Sequence, residues 1–461
     1  MIKLTLEDIF EIPGARIYNP DEFRSVSSVS IDSRNIKKNS LFVAIIGEKF
    51  DGHNFISEVI KKGASAVMIN EKKHRKFNDL ELPVITVPDT TIAYGDVART
   101  WRRKLDTKVI GITGSAGKTS TKEMISAILS SKYKINKTIL NNNNHIGVPL
   151  TILSTNNKHD VLVLELGTNH FGEIDYTAKI AEPDYALITN IGHSHLEFLK
   201  NKSGVLKEKT ALFDATKETN GTLFINKDDR LLRNSNKKYN KRFTYSFSSK
   251  ADVTGKLNGI DKTGKENIEI NFKNIKINGA FFYGEQTAQN LLASSAVAFR
   301  LGLNKTQILK GLKKYKNADK RLNVKNYKKS FTIIDDTYNA NPESTKYALE
   351  LLNKIGNGRN KIAILGDMFE LGDNAPKLHK ALAKVVKKNK IDEVLLTGSL
   401  MKNLNSELRK TKIRVKHYRT REELKKEIIN REFSKSVMLV KGSRGMRMEE
   451  FVKIIEGKIS G

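Results

Sequence analysis

The sequence predicts an α/β protein, and three features carry that reading. Short β-branched or aliphatic runs recur along the chain and end at a polar residue or a glycine. Near-continuous apolar runs of that length mark strands buried on both faces, as in parallel sheets. Amphipathic helical patterns alternate with these runs, the order that builds strand–helix–strand units. A glycine-rich turn joins one run, Val109-Ile110-Gly111-Ile112, to a helical pattern. The expected architecture has three domains. A small N-terminal α/β domain spans 1–88, a central P-loop-type mononucleotide-binding sheet spans 89–315, and a C-terminal Rossmann-like domain spans 316–461.

In chain order, 41–46 is the first buried strand, and Pro83 and Pro88 close the first unit. After the glycine-rich turn, 121–133 reads as a helix with Met124, Ile125, Ile128 and Leu129 on one face. The runs 161–164 and 186–188 are further strands, and the polar stretch 227–276 predicts surface strands and loops within the same domain. A break at Lys313-Lys314-Tyr315-Lys316-Asn317 opens the third unit. Its strands are 331–334, 362–365, 394–396 and 437–440, and its helices include 375–387 and 422–430. Ligands of open α/β sheets gather at the carboxyl ends of strands. Those ends hold Glu165, Asn190, Asp335, Asp336, Gly366, Asp367, Lys441 and Gly442.

Composition narrows the class. The 461 residues are 39% hydrophobic and 29% charged, which suits globular domains with sizeable cores. No apolar run is long enough to span a bilayer, and the N-terminus lacks the basic-then-apolar pattern of a signal peptide. There is no cysteine, so disulfides and thiol chemistry are excluded and a cytoplasmic location is expected. The net charge is +30. The lysines are scattered and are not interleaved with aromatics, so the excess reads as solvated surface that favours anionic substrates, not as a nucleic-acid site.

The turn carries the chemistry. Gly114-Ser115-Ala116-Gly117-Lys118-Thr119-Ser120 follows a strand and opens a helix. Glycines let backbone N–H groups approach phosphate oxygens, the helix start adds partial positive charge, and Lys118 adds a full one. The Thr119 hydroxyl can ligate Mg2+. The common spacing has glycine where this chain has Ile112; the shorter Gly-x-x-Gly-Lys-Thr form stands here instead. Glu165, at a strand end, can hold Mg2+ or be plain surface. In Asn190-Ile191-Gly192-His193-Ser194-His195-Leu196-Glu197, two histidines beside a glutamate are a candidate ligand cluster or simply satisfied polar groups. Lys207-Glu208-Lys209-Thr210-Ala211-Leu212-Phe213, read without context, is an ordinary charged helix face. Asp335-Asp336-Thr337-Tyr338-Asn339-Ala340-Asn341-Pro342 is a polar loop suited to ribose or phosphate, or an Asn-Pro turn.

Taken together and in this order, the elements resemble the Mur ligase family of ATP-dependent amide-bond ligases. The resemblance runs from about residue 30 to about residue 455. It includes Asp32-Ser33-Arg34, Asp51-Gly52-His53-Asn54-Phe55, Asn142-Asn143-Asn144-His145-Ile146-Gly147-Val148-Pro149 and Glu165-Leu166-Gly167. Tyr338-Asn339-Ala340-Asn341-Pro342 and Gly366-Asp367-Met368-Phe369-Glu370-Leu371-Gly372 resemble the branch that joins D-alanyl-D-alanine to UDP-N-acetylmuramoyl-tripeptide. The resemblance implies phosphoryl transfer from ATP to a carboxylate, then amide formation. It implies that Lys118 and the loop hold the β- and γ-phosphates, that Thr119 and Glu165 ligate one Mg2+, and that His195 helps hold a second. It implies that Lys209 reacts with CO2 to give a carbamate ligand, although the branch usually has Gly-Glu where Thr210-Ala211 follows here and Lys207 lies close by. Asn290 would lie near adenine, and Arg321 and Asp336 would reach phosphate and ribose from the third domain, which closes when ATP binds. Ser33 and Arg34 would contact the UDP end, and Asn339 and Asn341 the dipeptide. The family implies a monomer with no nucleic-acid partner and no membrane insertion. The preceding ligase, which adds the third amino acid, and a folylpolyglutamate-synthetase-like ligase are the rival enzymes; a nucleotide sensor or a basic nucleic-acid-binding ATPase is the rival of another class.

Overall fold

The computed structural model describes residues 2–327, 331–432 and 435–460. Three sheets follow one another along the chain. The first has five strands in the order Arg16–Tyr18, Val84–Val87, Ala64–Asn70, Ser40–Val43 and Ser28–Ser30, parallel except for its first edge. Its buried strand stops at Val43, short of the aliphatic run 41–46. Ile46 bridges back to Asp51 across a tight loop, and Ile46 is exposed.

The central sheet has nine strands. The parallel set runs Ile135–Lys137, Val161–Glu165, Lys108–Thr113, Tyr185–Ile188, Thr222–Asn226, Arg242–Ser246 and Val253–Ile260. Glu266–Phe272 and Ile275–Ala280 extend it antiparallel, so the polar stretch after 227 forms strands of the main sheet. Its strands alternate: Ile268 and Ile270 are buried while their neighbours are half-exposed, the pattern of a sheet covered on one face. In contrast, Val161 to Glu165 are all buried, because helices cover both faces there.

The third sheet, in the order Asn323–Tyr327, Phe331–Asp336, Ser436–Lys441, Asn360–Gly366, Glu393–Thr397 and Arg414–Tyr418, is parallel apart from its first strand. The order changes direction beside Phe331–Asp336 and Ser436–Lys441, and their carboxyl ends carry Asp336 and Lys441. Such a switch point leaves a crevice above the strands.

Helix Thr90–Arg103 links the first two sheets. Asp89 caps it by accepting from the Thr91 and Ile92 N–H groups. Arg102 donates to the carbonyls of Ala181 and Glu182, and the indole of buried Trp101 donates to Thr155 O at 2.9 Å. No helix among the described residues is long and apolar enough to cross a membrane.

Candidate active site

The glycine-rich turn sits where buried strand Lys108–Thr113 meets helix Lys118–Leu129. Two of its glycines are sterically required. Gly114 has φ +150°, and a Cβ there would lie 1.9 Å from Thr189 Oγ1. Gly117 has φ +84°, and its Cβ would lie 2.6 Å from Asn290 Oδ1. The segment after strand Tyr185–Ile188 clamps the turn. Ser115 N donates to Asn190 O, and Ala116 exchanges hydrogen bonds with the Asn190 amide at 3.0 Å in both directions. Gly192 N donates to Ser115 Oγ, and Asp229 fixes Ile191 N at 2.7 Å. The N–H groups of Ser115 and Ala116 are therefore spent within the protein. The first-turn N–H groups that follow Gly117 have no intrahelical partner, which makes this helix start suited to an anion. Lys118 Nζ rests on Gly114 O at 2.8 Å. Burial pushes its ammonium pKa down, Glu165 opposes the shift, and Arg321 adds to it.

Beneath the turn, Glu165 is buried at the end of its strand. Its Oε1 accepts from Thr119 Oγ1 at 3.1 Å and from Asn143 Nδ2 at 3.0 Å, while its Oε2 has no hydrogen-bond partner. Fully buried Lys122 lies 3.9 Å from Oε2 and 3.0 Å from Glu123. A hydroxyl beside a carboxylate with a spare oxygen is a donor set that fits Mg2+. Among the described residues no three His, Asp or Glu side chains gather as a ready-made metal cage. A Mg2+ held there would fill the rest of its shell with water or phosphate oxygens.

Lys209 is a second buried lysine of this domain. It is fully buried on helix Lys202–Glu218, and its Nζ has no partner. Desolvation holds its pKa well below the usual lysine value, with Lys118 adding repulsion, so the amine is driven towards its neutral, nucleophilic form. Lys207, two residues earlier, is exposed. Glu208 is taken up by structure, accepting from Gly172 N, Ile174 N and Thr168 Oγ1. His195, with φ +52°, places Nδ1 2.7 Å from Glu370 Oε2 of the third domain, and burial lowers its pKa.

The opposite wall comes from the third domain. Arg321 lies over the Tyr338 ring, 4.0 Å from its centroid, with Arg444 at 6.0 Å. Asp336 accepts from Leu322 N and pairs with buried Lys441, which also donates to Asn339 O. Asn341 caps helix Pro342–Ile355 through Ser344 N and donates to Ser115 O at 3.1 Å, touching the turn directly. The walls form a cleft of about 220 Å3, partly open to solvent. It is lined by Ser115, Ala116, Gly117, Lys118, Ser120 and His195 on one side and Arg321, Asp336, Asn339 and Asn341 on the other.

Comparison with known proteins agrees with this layout along the whole chain. A profile described as the Mur ligase middle domain matches residues 112–298, the Mur ligase glutamate ligase domain matches 320–444, and the Mur ligase family catalytic domain matches 25–102. The UDP-N-acetylmuramoyl-tripeptide–D-alanyl-D-alanine ligase of Bacillus subtilis is 34% identical, with all of both chains covered. The chain belongs to the Mur ligase family. The ligase of the same description from Escherichia coli is 31% identical over 99% of each chain. Among solved Mur ligases, MurF from Acinetobacter baumannii superimposes with a TM-score of 0.86 at 28% identity, covering 99% of both chains. MurF from Thermotoga maritima in complex with ADP gives 0.82 at 28% identity, covering 94% of this chain and 98% of that one.

In this Mur ligase the turn, Asn290 and the third-domain residues share one cleft, and Thr119, Glu165 and Lys209 lie outside its lining. Asn290 is buried against the turn and accepts from Gln286 Nε2. Ser33 and Arg34 do not share the cleft. They lie on a surface turn of the first domain, where Arg34 is exposed and pairs with Asp32. Neither Lys122 nor the pairing of Glu370 with His195 stands out in the sequence. Lys122 looked like any polar position of a helix, and only its burial beside Glu165 marks it.

Proposed function

We propose that this Mur ligase joins D-alanyl-D-alanine to UDP-N-acetylmuramoyl-tripeptide at the expense of ATP. The observation that carries the reading is the cleft between the phosphate turn and the Arg321–Asp336–Asn341 wall, in a chain alike over its full length to ligases of that description. A terminal carboxylate oxygen of the tripeptide attacks the γ-phosphorus, ADP departs, and an acyl phosphate results. The amine of D-alanyl-D-alanine then attacks the acyl carbon, inorganic phosphate leaves with the bonding pair, and the amine proton is lost. Such a reaction needs positioning and charge neutralisation more than covalent catalysis.

Gly114, Ser115, Ala116, Gly117, Lys118, Thr119 and Ser120 cradle the phosphates, with Asn290 beside the adenine. Arg321 and Asp336 approach from the third domain. Thr119, Glu165, His195 and the carbamate of Lys209 would hold two Mg2+ ions, which when bound neutralise phosphate oxygens. The neutral amine of Lys209 forms the carbamate by attacking CO2 and releasing a proton, which turns a buried cation into an oxygen ligand. The unpartnered Nζ and the spare Oε2 of Glu165 support this reading. The unit 1–88, with Ser33 and Arg34, takes the UDP end; 89–315 takes ATP; 316–461, with Asn339 and Asn341, takes the dipeptide. The ligase acts as a monomer and, with ATP as its co-substrate, in a cytoplasmic setting.

Phosphate release is the test, with UDP-N-acetylmuramoyl-tripeptide and either D-alanyl-D-alanine or free amino acids as acceptor. Release together with a pentapeptide product is expected only with the dipeptide. Turnover of the dipeptide precursor with a free diamino acid would instead assign the preceding ligase, and release dependent on RNA or DNA another class of protein.

A further inference from the structure

Glu343 opens the third domain's helix Pro342–Ile355, yet its carboxylate is used by the central domain. Oε2 accepts from the backbone N–H of His193 at 2.9 Å, Oε1 lies 2.7 Å from His193 Nδ1, and Lys202 Nζ stands 3.6 Å away. The contact is close enough that Gly192 has no room for a side chain, since a Cβ would fall 2.6 Å from Glu343 Cδ. Glu343 does not line the cleft. The segment it grips does the positioning described above. Asn190 holds the Ala116 amide, Gly192 and Ser194 hold the Ser115 hydroxyl, and His195 faces Glu370.

We propose that Glu343 is a positioning residue, a latch that couples docking of the third domain to the shape of segment 190–195 and, through it, to the phosphate turn and His195. This deepens the ligase reading and rests on it for the rate, but the coupling itself concerns only the two domains and nucleotide. A docked third domain fixes the His193 backbone; an undocked one leaves that N–H and the imidazole to water, and Ser115 loses the Asn341 contact made beside them. Charge-assisted bonds to a half-buried carboxylate are the stronger kind, so one residue can set the docking equilibrium.

The chain has no cysteine, so a pair introduced at exposed Lys237 and Lys402 accepts dyes at those sites alone. Energy transfer between them, with a non-hydrolysable ATP analogue and no acceptor substrate, reads the docked population without catalysis. Glu343→Ala is expected to lower the docked-to-undocked ratio about tenfold or more. His193→Ala should lower it less, because the backbone N–H remains, and the double variant should match Glu343→Ala. Turnover should fall with the docked fraction while the melting curves stay in place, since the contact lies between domains. If the alanine variant does not fold, Glu343→Gln, which keeps an acceptor for the His193 N–H, is measured instead and should shift the ratio the same way by a smaller factor. Docking equal to the parent, or lost turnover with unchanged docking, overturns the latch. Loss of ligase activity in the parent chain with the docking effect intact would instead overturn the reading of the substrates.

Discussion

Replacing Lys209 by methionine should stabilise the central domain while abolishing ligation. The lysine is fully buried, its Nζ has no partner, and its pKa lies well below the usual 10.5. Folding must therefore release a proton that the unfolded chain keeps. For a lysine held neutral, that release costs about 1.4 kcal/mol for every pH unit below the ordinary value. The cost is therefore greater at pH 7.5 than at pH 9.5, which lies close to the ordinary lysine range. The sign follows from the depressed value: the penalty is largest at low pH and disappears as pH rises to the unfolded pKa. Methionine has nearly the same length and no charge, so it removes the penalty without opening a cavity. Urea unfolding of both proteins in CO2-free buffer, followed by a signal confined to the central domain, measures the difference at the two pH values. A variant that is less stable, or a difference that does not shrink towards pH 9.5, would refute the neutral buried amine and with it the route to a carbamate.

Gly114→Ala should cost roughly 2–4 kcal/mol of stability or of nucleotide affinity, from a strained positive φ and a Cβ driven into Thr189; calorimetric titration with ADP and a thermal melt separate the two. Glu165→Gln keeps the Thr119 and Asn143 contacts possible but removes the charge, so turnover should fall by about a hundredfold or more and demand higher Mg2+. Lys209→Ala should be nearly inactive, with partial recovery when a short carboxylic acid such as acetate is added; full activity in that variant would contradict the ligand role. His379 is buried with both ring nitrogens engaged, Nε2 accepting from Met368 N and Nδ1 facing Ala375 O, and burial lowers its pKa. The third domain should therefore keep its full stability above the ordinary histidine range and lose it as pH falls through the depressed value, a loss that His379→Gln should blunt in pH-dependent melts.

The apolar runs located the strands and the glycine pattern located the tight strand-to-helix turn, because buried parallel strands and tight turns leave few residue choices. Helix starts were less legible. The pattern reads as a helix over 121–133, whereas the helix spans Lys118–Leu129, since its first turn is polar by the needs of the loop. Spacing to Phe213 pointed to Lys209 with Lys207 close by, and burial separates the two, Lys209 being buried and Lys207 exposed. Asp336 and Asn341 show another limit. A polar residue after a strand can face a ligand or anchor its own loop, and in the structure Lys441, Leu322, Ser344 and Ser115 occupy their polar atoms. Contacts between domains, such as Glu370 with His195, left no local trace because the partners are far apart in the chain.

Trp101 is the single tryptophan of the chain, and it lies on helix Thr90–Arg103 with its indole donating to Thr155 O. The protein thus carries its own fluorophore at the seam of its first two sheets, away from the nucleotide cleft. Its emission should be blue-shifted in the native state and move to the red only when that seam is wetted. Excitation of this one residue would follow unfolding of the central domain without any label and without interference from bound nucleotide.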